Sequence, residues 1–250
     1  MNKKLLVLIA GVGLCSAGLH SQTTSKASSF QPPSWIYSPS PSHGRIEGMQ
    51  SGPILGKPFS ATEVRRTLQT LSDGTQVDHS DISKFYRDSQ GRMRAESPER
   101  VEIFDFVAGL EYDLHPHNKT YQKLAIKDRN ATLTVAVVGG TSSTGSSSGS
   151  SGEADRPPSE DLGTQTFNGV NAAGTRVTVT IPVGAFGNNR ELKVVNERWY
   201  SPELQTLVKS SNSDPRFGVN SYELTNILRT DPDPALFQPP ADYTLTSRNH

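Results

Sequence analysis

Apolar and polar positions alternate with a period of two along much of the chain. Leu110, Tyr112 and Leu114 alternate with Glu111, Asp113 and His115, and Val177, Val179 and Ile181 alternate with Arg176, Thr178 and Thr180. Successive side chains of a strand point to opposite faces, so each run predicts a strand with one apolar face. Further runs rich in Thr, Val and aromatic residues predict strands over 82–88, 101–106, 120–126, 132–138, 192–200 and 218–229. Trp199 and Tyr200 fall on opposite faces of the fifth of these, with Trp199 assigned to the core. Turn signals divide the runs: Asp73–Gly74, Ser89–Gln90–Gly91, Val107–Ala108–Gly109, His117–Asn118–Lys119 and Ala172–Ala173–Gly174. Connections this short predict antiparallel hairpins, because parallel crossovers need longer links. Helical signal is sparse. Ser60 with Glu63 could open a short helix as a capping box, and Asp233–Pro234–Ala235–Leu236–Phe237 could make one turn. With so few helices, the sheet must curl, stack on itself or lie under loops. The expected fold is mainly β: a curved antiparallel sheet or open half-barrel built from consecutive hairpins, with few short helices.

Three stretches depart from the alternation. Residues 1–21 carry Lys3 and Lys4, an apolar run of 11 residues from Leu5 to Cys15, then Ser16, Ala17 and Gly18. That is the layout of an export signal, and the run is short of the ~20 residues that a membrane span needs. Residues 22–57 include Gln31–Pro32–Pro33 and Ser38–Pro39–Ser40–Pro41, and 17 of these 36 residues are Ser, Pro or Gly. Such a segment offers too little apolar surface to offset its ordering entropy and is expected to be a flexible tail. Trp35, Ile36 and Tyr37 interrupt it and could dock on the domain or on a partner. Residues 139–152 are all Gly, Ser or Thr, and a polar, Pro-containing run continues to Asp161. The expected organisation is a signal peptide at 1–21, a Ser/Pro-rich tail at 22–57, and one β domain at 58–250 interrupted by a flexible loop at 139–161. The protein is expected in the periplasm or secreted, with no transmembrane segment in the mature chain. Leu14 stands where lipoprotein processing wants a small residue, which argues against a lipid anchor on Cys15.

Composition sharpens this picture mainly by exclusion. The 250 residues hold 25 Lys and Arg against 25 Asp and Glu, a formal net charge of zero. Loss of Lys3 and Lys4 with the signal leaves 23 against 25, a net charge of −2. No nucleic-acid partner is expected from that balance. The single Cys excludes an intrachain disulfide framework and a Cys-rich zinc site, and it leaves with the signal. The apolar fraction of 33% is low because the tail and loop dilute it; about 170 residues remain in two β blocks, 58–138 and 162–250.

Candidate chemistry is thin. Gly145–Ser146–Ser147–Ser148–Gly149 matches the serine-hydrolase elbow in letters, but the elbow works only on a strained strand-to-helix turn. Gly140 to Gly145 has the frame of a phosphate loop without its Lys. His79, His115 and His117 are the histidines inside the sheet blocks, with Pro116 between the last two; nothing in the sequence brings them together, so no metal site is assigned. Acidic pairs such as Asp78/Asp81 and Asp231/Asp233 do not reveal a catalytic separation, and Asp231–Pro232–Asp233–Pro234 reads as a turn. Arg87, Arg92 and Arg94 flank a turn containing Asp88; cross-strand pairing with acids is the leading reading and a small anion patch the other. Asn118–Lys119–Thr120 and Asn130–Ala131–Thr132 fit the glycosylation pattern without a context that uses it. No catalytic residue, metal ligand or cofactor is assigned, and the ligand-binding residues are left unknown.

Several runs resemble an uncharacterised family of secreted bacterial proteins. They are Leu71–Ser72–Asp73–Gly74, Phe85–Tyr86–Arg87–Asp88–Ser89–Gln90–Gly91–Arg92, Val101–Glu102–Ile103–Phe104–Asp105 with Tyr112–Asp113–Leu114–His115–Pro116, and Asp231–Pro232–Asp233–Pro234–Ala235–Leu236–Phe237. More coarsely, Asp105 to Gly109 followed by Tyr112–Asp113–Leu114–His115–Pro116–His117–Asn118–Lys119 is similar in layout to envelope β-proteins typified by lipoprotein-sorting carriers and related periplasmic sigma-regulator proteins. That resemblance implies a curved sheet half-enclosing an apolar ligand. The chain departs from it in lacking long helices to plug the concave face. The expected function is a non-enzymatic binding protein of the envelope, with an apolar ligand or an envelope protein as partner. A hydrolase acting on envelope polymers and a structural component of the cell surface are the alternatives.

Overall fold

The computed structural model of the chain describes residues 53–126 and 157–247. The signal at 1–21, most of the tail, the 132–138 run, Asn130 and both Gly-rich motifs lie outside the described residues. Two runs of consecutive hairpins build one sheet. The first is β1 (Phe59–Thr70), β2 (Gln76–Arg87), β3 (Met93–Glu96), β4 (Val101–Asp105), β5 (Leu110–His115) and β6 (Thr120–Ala125). The second is β7 (Ser159–Phe167), β8 (Val170–Ile181), β9 (Leu192–Ser201), β10 (Thr206–Asp214) and β11 (Gly218–Leu228). A 3₁₀ turn at Pro234–Phe237 and a two-residue strand, β12 (Thr244–Leu245), follow β11. The order across the 12-stranded sheet is β12-β6-β5-β4-β3-β2-β1-β11-β10-β9-β8-β7, so β1 and β11 join the two runs at the centre. Among the described residues, every strand pairing is antiparallel except β12 with β6. The sheet does not close, which makes it the curved open sheet that the alternation predicts.

The hairpins follow from the chemistry of their turns. Asp73 accepts the Thr75 amide at 2.9 Å, and Gly74 supplies the positive φ that the β1–β2 turn requires. At the β2–β3 turn, the Asp88 carboxylate accepts the amides of Gln90 and Arg92 and the Arg92 side chain. Gly91 closes that turn at φ +79°, and a Cβ there would come within 2.9 Å of Pro53. Asp105 accepts the amides of Val107 and Ala108 at the β4–β5 turn.

Four expectations change. Ser60 and Glu63 open no helix; both lie in β1. The buried positions there are Phe59, Ala61 and Glu63, two apart, and pairing to β2 and β11 on both sides outweighs a local cap. Ala172–Ala173–Gly174 is the interior of β8, and the turn is at Asn168–Gly169. Gly174 is there for close packing, because a Cβ would sit 2.5 Å from the Trp199 ring. Ser159–Asp161, placed in the loop by the sequence, belong to β7. Residues 53–57, placed in the tail, meet the sheet domain: Ile54 is 7% exposed and the Gly56 amide donates to Ser89 O at 2.9 Å. The expected turn at 233–237 is present as the 3₁₀ turn, with the Asp233 side chain capping the Ala235 amide.

Side chains opposite one another in the register share a face, which places two cores on opposite sides of the sheet. Phe59 faces Arg87, Arg87 faces Met93, and Met93 faces Phe104; these join Phe85, Leu224 and Val208 in the larger core. The alternate positions of β4 and β5 place Val101, Ile103, Tyr112 and Leu114 in the second core with Phe237. The strands at this end of the sheet are therefore covered on both sides. β5 keeps the one apolar face that its alternation predicts, Leu110, Tyr112 and Leu114, while on its other face Glu111 is fully buried as well.

Candidate binding surface

The larger core decides whether the sheet can hold an apolar molecule. Phe59 and Phe85 pack ring to ring at 5.2 Å, and Phe167 meets Trp199 edge-on at 5.1 Å. Leu204, Leu207, Val208 and Leu224 belong to the same core. The side chains that could line a ligand cavity thus contact one another instead. Arg87, 1% exposed, runs into this core: it donates from Nε to Lys57 O at 2.9 Å, reaches Leu204 O, and stacks on Phe59 at 4.7 Å. Burial pulls its guanidinium down to about 10, which leaves it cationic at neutral pH. A cleft of about 380 Å³ lies on the outer strand pair, lined by Pro158, Ser159, Glu160, Arg176 and Thr178. Two of its lining residues are charged, Glu160 and Arg176, and Arg176 is bound to Glu197 and Glu160.

The second core has a different cover. After β11 the chain crosses the sheet as an extended strap from Arg229 to Ser247, with the 3₁₀ turn in its middle. Asp231 accepts the Ser89 amide at 2.7 Å. Phe237 is fully buried beneath Arg92, whose guanidinium lies 4.9 Å from the ring centre. Arg94 donates to Leu236 O at 3.0 Å. Lys119 pairs with Asp242 at 2.8 Å; the lysine holds that carboxyl below its ordinary range, and the carboxylate raises the ammonium. The strap ends as β12, through Thr244 N to Lys119 O at 2.9 Å and Thr246 N to Tyr121 O at 2.8 Å.

The arginines singled out in the sequence divide by role. Arg92 and Arg94 take acids, Asp88 and Glu96, and both also touch the strap, while Arg87 takes backbone carbonyls. The histidines do not converge: His79 lies beside Asp81, His117 beside Glu99, and His115 ends β5. Among the described residues, no group of three His, Cys, Asp or Glu is placed to hold a metal ion. Asp231 and Asp233 serve a turn amide and a cap, and Asp78 pairs with Arg66. Asn118 accepts the Thr120 hydroxyl within its own turn. Sequence reasoning missed Lys119 and Asp242, which are 123 positions apart and carry no motif. It also missed Arg100, whose guanidinium binds Asp113 at 2.7 and 2.8 Å and Glu102 at 3.0 Å, and is raised by them and by Glu111.

No helix among the described residues is long and apolar enough to cross a membrane. No protein-family model and no curated protein matches the chain. Solved structures do show a likeness at low identity. An uncharacterized conserved protein from Thermus thermophilus aligns at 10% identity and a TM-score of 0.42, covering 78% of this chain and 92% of that one. The Pseudomonas aeruginosa MucA/MucB complex aligns at 13% identity and a TM-score of 0.38, over 77% of this chain and 59% of the matched one. A lipoprotein-sorting protein domain from Vibrio parahaemolyticus aligns at 10% and 0.26, over 72% and 89%. At these TM-scores the likenesses bear on neither ligand nor activity.

Proposed function

We propose that the chain is an exported, non-enzymatic binding protein of the envelope, and that it engages a protein segment on the surface of its sheet. The observation that carries the choice of partner is the packing of the larger core. Phe59, Phe85, Phe104, Phe167 and Leu224 belong to one contact cluster, which leaves the interior face to the protein's own side chains. An apolar ligand would need those side chains to move apart, at the cost of their dispersion and burial. The acids that face each other on β4 and β5, Glu102 and Asp113, share Arg100, an arrangement that serves charge balance before hydrolysis. In this reading residues 1–21 supply export.

Native mass spectrometry of the protein purified from its own host tests this. The expected result is a mature chain shortened near residue 21, without a stoichiometric lipid, that cross-links to an envelope protein in intact cells. A lipid retained at one per chain would overturn the choice of a protein partner. A full-length cytoplasmic product would overturn export.

A further inference from the structure

The strap is the part of this chain that already behaves as a bound peptide. It meets the sheet as an extended segment with one deeply buried anchor. It makes only a two-residue parallel pairing at the edge of β6, and most of its other residues are exposed. We propose that the strap occupies, in the same chain, the seat of an external partner: an extended acidic peptide with an aliphatic–aromatic pair as anchor. This rests on the binding reading above and names the chemistry of its site.

The seat reads three features at fixed spacing. The Ser89 amide and the side chain of Lys119 each receive a carboxylate, from Asp231 and Asp242. Between them, Val101, Ile103, Tyr112 and Leu114 form the floor under Phe237, with Tyr86 and Tyr121 packed around it. Arg92 covers the aromatic ring, and Arg94 holds the carbonyl of the residue before it. A cation over a ring and a donor to a backbone carbonyl select an aromatic residue without reading the rest of the side chains. Beyond the anchor, β6 offers its edge, and main-chain pairing there accepts any extended sequence. A partner must therefore supply an acid, an aliphatic–aromatic pair about five residues on, and a second acid about five residues after that. The strap has these at Asp231, Leu236–Phe237 and Asp242. The donors on the body and the acids on the strap are complementary in charge, so an acidic segment from another protein meets the same partners once the strap lifts.

The test uses the full chain with Cys15→Ser and a second form with Thr120→Cys and Thr244→Cys added. These positions are direct partners in the β6–β12 register, so oxidation latches the strap in place. The probe is a fluorescent synthetic peptide of residues 229–247. Saturable binding to the open form is expected, together with binding to the latched form only after reduction. A peptide carrying Phe237→Ala should bind at least tenfold more weakly, and one carrying Asp231→Asn and Asp242→Asn severalfold more weakly. No saturable binding to the open form, or equal binding to the oxidised latched form, would overturn the seat. Cross-linking in cells separates the two ideas. An envelope partner captured equally by open and latched forms overturns the seat and leaves the binding reading intact. Capture by the open form alone supports both, and capture by neither overturns both.

Discussion

β4 and β7 belong to the same sheet and share no property beyond it. All five residues of β4 are buried, including Glu102 and Asp105, because one core lies on each of its faces. β7 is nine residues long, ends the sheet, and buries only Phe167. The difference comes from position and not from strand propensity, since β7 carries Thr164, Thr166 and Phe167, which suit strands well. β2 joins the two regimes in one strand: Gln76–Ile82 is exposed, whereas Phe85 and Arg87 enter the larger core. β4 is held from both faces, whereas β7 joins the larger core only through Phe167 at its end. A long strand of this kind carries its far half out of the core on the strength of ladder hydrogen bonds and cross-strand pairs.

The sharpest way to break that comparison is to empty the doubly covered end. Phe237→Ala removes the fully buried anchor of the strap and is expected to cost about 3–5 kcal/mol, and Ile103→Ala about 2–5 kcal/mol. Chemical denaturation measures both. If the strap is only a surface ornament, Phe237→Ala will unfold at an unchanged denaturant midpoint, and the second core then does not hold this end together.

Arg87 tests the other core. Its fork satisfies the carbonyls of Lys57 and Leu204, which belong to the entry segment and the β9–β10 turn. Arg87→Met leaves both carbonyls without that donor, at about 1–3 kcal/mol for each buried group left unsatisfied. Arg87→Lys should recover part of the loss only, because a single ammonium cannot reproduce the planar fork or its stacking on Phe59. Equal stability of the Met and Lys variants would mean that packing, and not the donor geometry, is what Arg87 contributes. Next in size is Gly174→Ala, whose new Cβ would meet the Trp199 ring; displacing the indole should cost about 1–3 kcal/mol.

Acid should separate the strap's far end from the core that anchors it. The Asp242 carboxyl sits below its ordinary value because Lys119 donates to it, so the pair stabilises the folded strap above the unfolded carboxyl value of about 3.9. That contribution fades as the pH falls through the lower folded value. The Lys119 ammonium is raised, so its share is full below its unfolded value of about 10.4 and fades only as the pH rises through the folded one. Amide exchange at Thr244 and Thr246 should therefore quicken below about pH 4 relative to Ile103, after correction for intrinsic rates. Asp242→Asn should flatten that difference. Parallel changes at all three amides would mean that the strap and the sheet open as one unit.

How much of this could be read from the chain follows from the range of each signal. The strands at 110–115 and 177–181 were legible because their alternation is local, and that at 218–229 from its composition. Three of the five turns were legible because Asp or Gly imposes them locally, and a fourth at Asn118–Lys119, where Lys119 takes a positive φ. β1 was hidden by Ser60 and Glu63, which copy a capping box in letters. The cap would satisfy two amides, whereas the ladder to β2 and β11 satisfies a whole strand, and no local pattern reports that competition. β3 and β10 were missed for related reasons: the first has four residues, and the second, Thr206–Asp214, is strand by virtue of its neighbours more than its composition. Gly174 read as a turn because its role depends on Trp199, 25 positions away. The binding surface was the least legible part. Arg92, Arg94 and Phe237 were each picked out, but nothing in the sequence says that the last packs beneath the first.

The smallest expected effect is the one that sharpens the comparison most. Thr164 lies on β7 with its side chain exposed, and Thr164→Ala should change stability by no more than about 0.5 kcal/mol in either direction. Ile103→Ala, in a strand of the same sheet, should cost several times as much. A large loss at Thr164 would show that β7 is covered in solution, since an exposed threonine has little to lose beyond its strand preference. Such a cover would also protect the outward amides of β7 from exchange, and the two measurements should agree. If both stay small, β7 is an open edge, and its bulge at Asp161–Gly163, with Glu160 and Asp161 facing water, is then what keeps that edge from pairing with other chains.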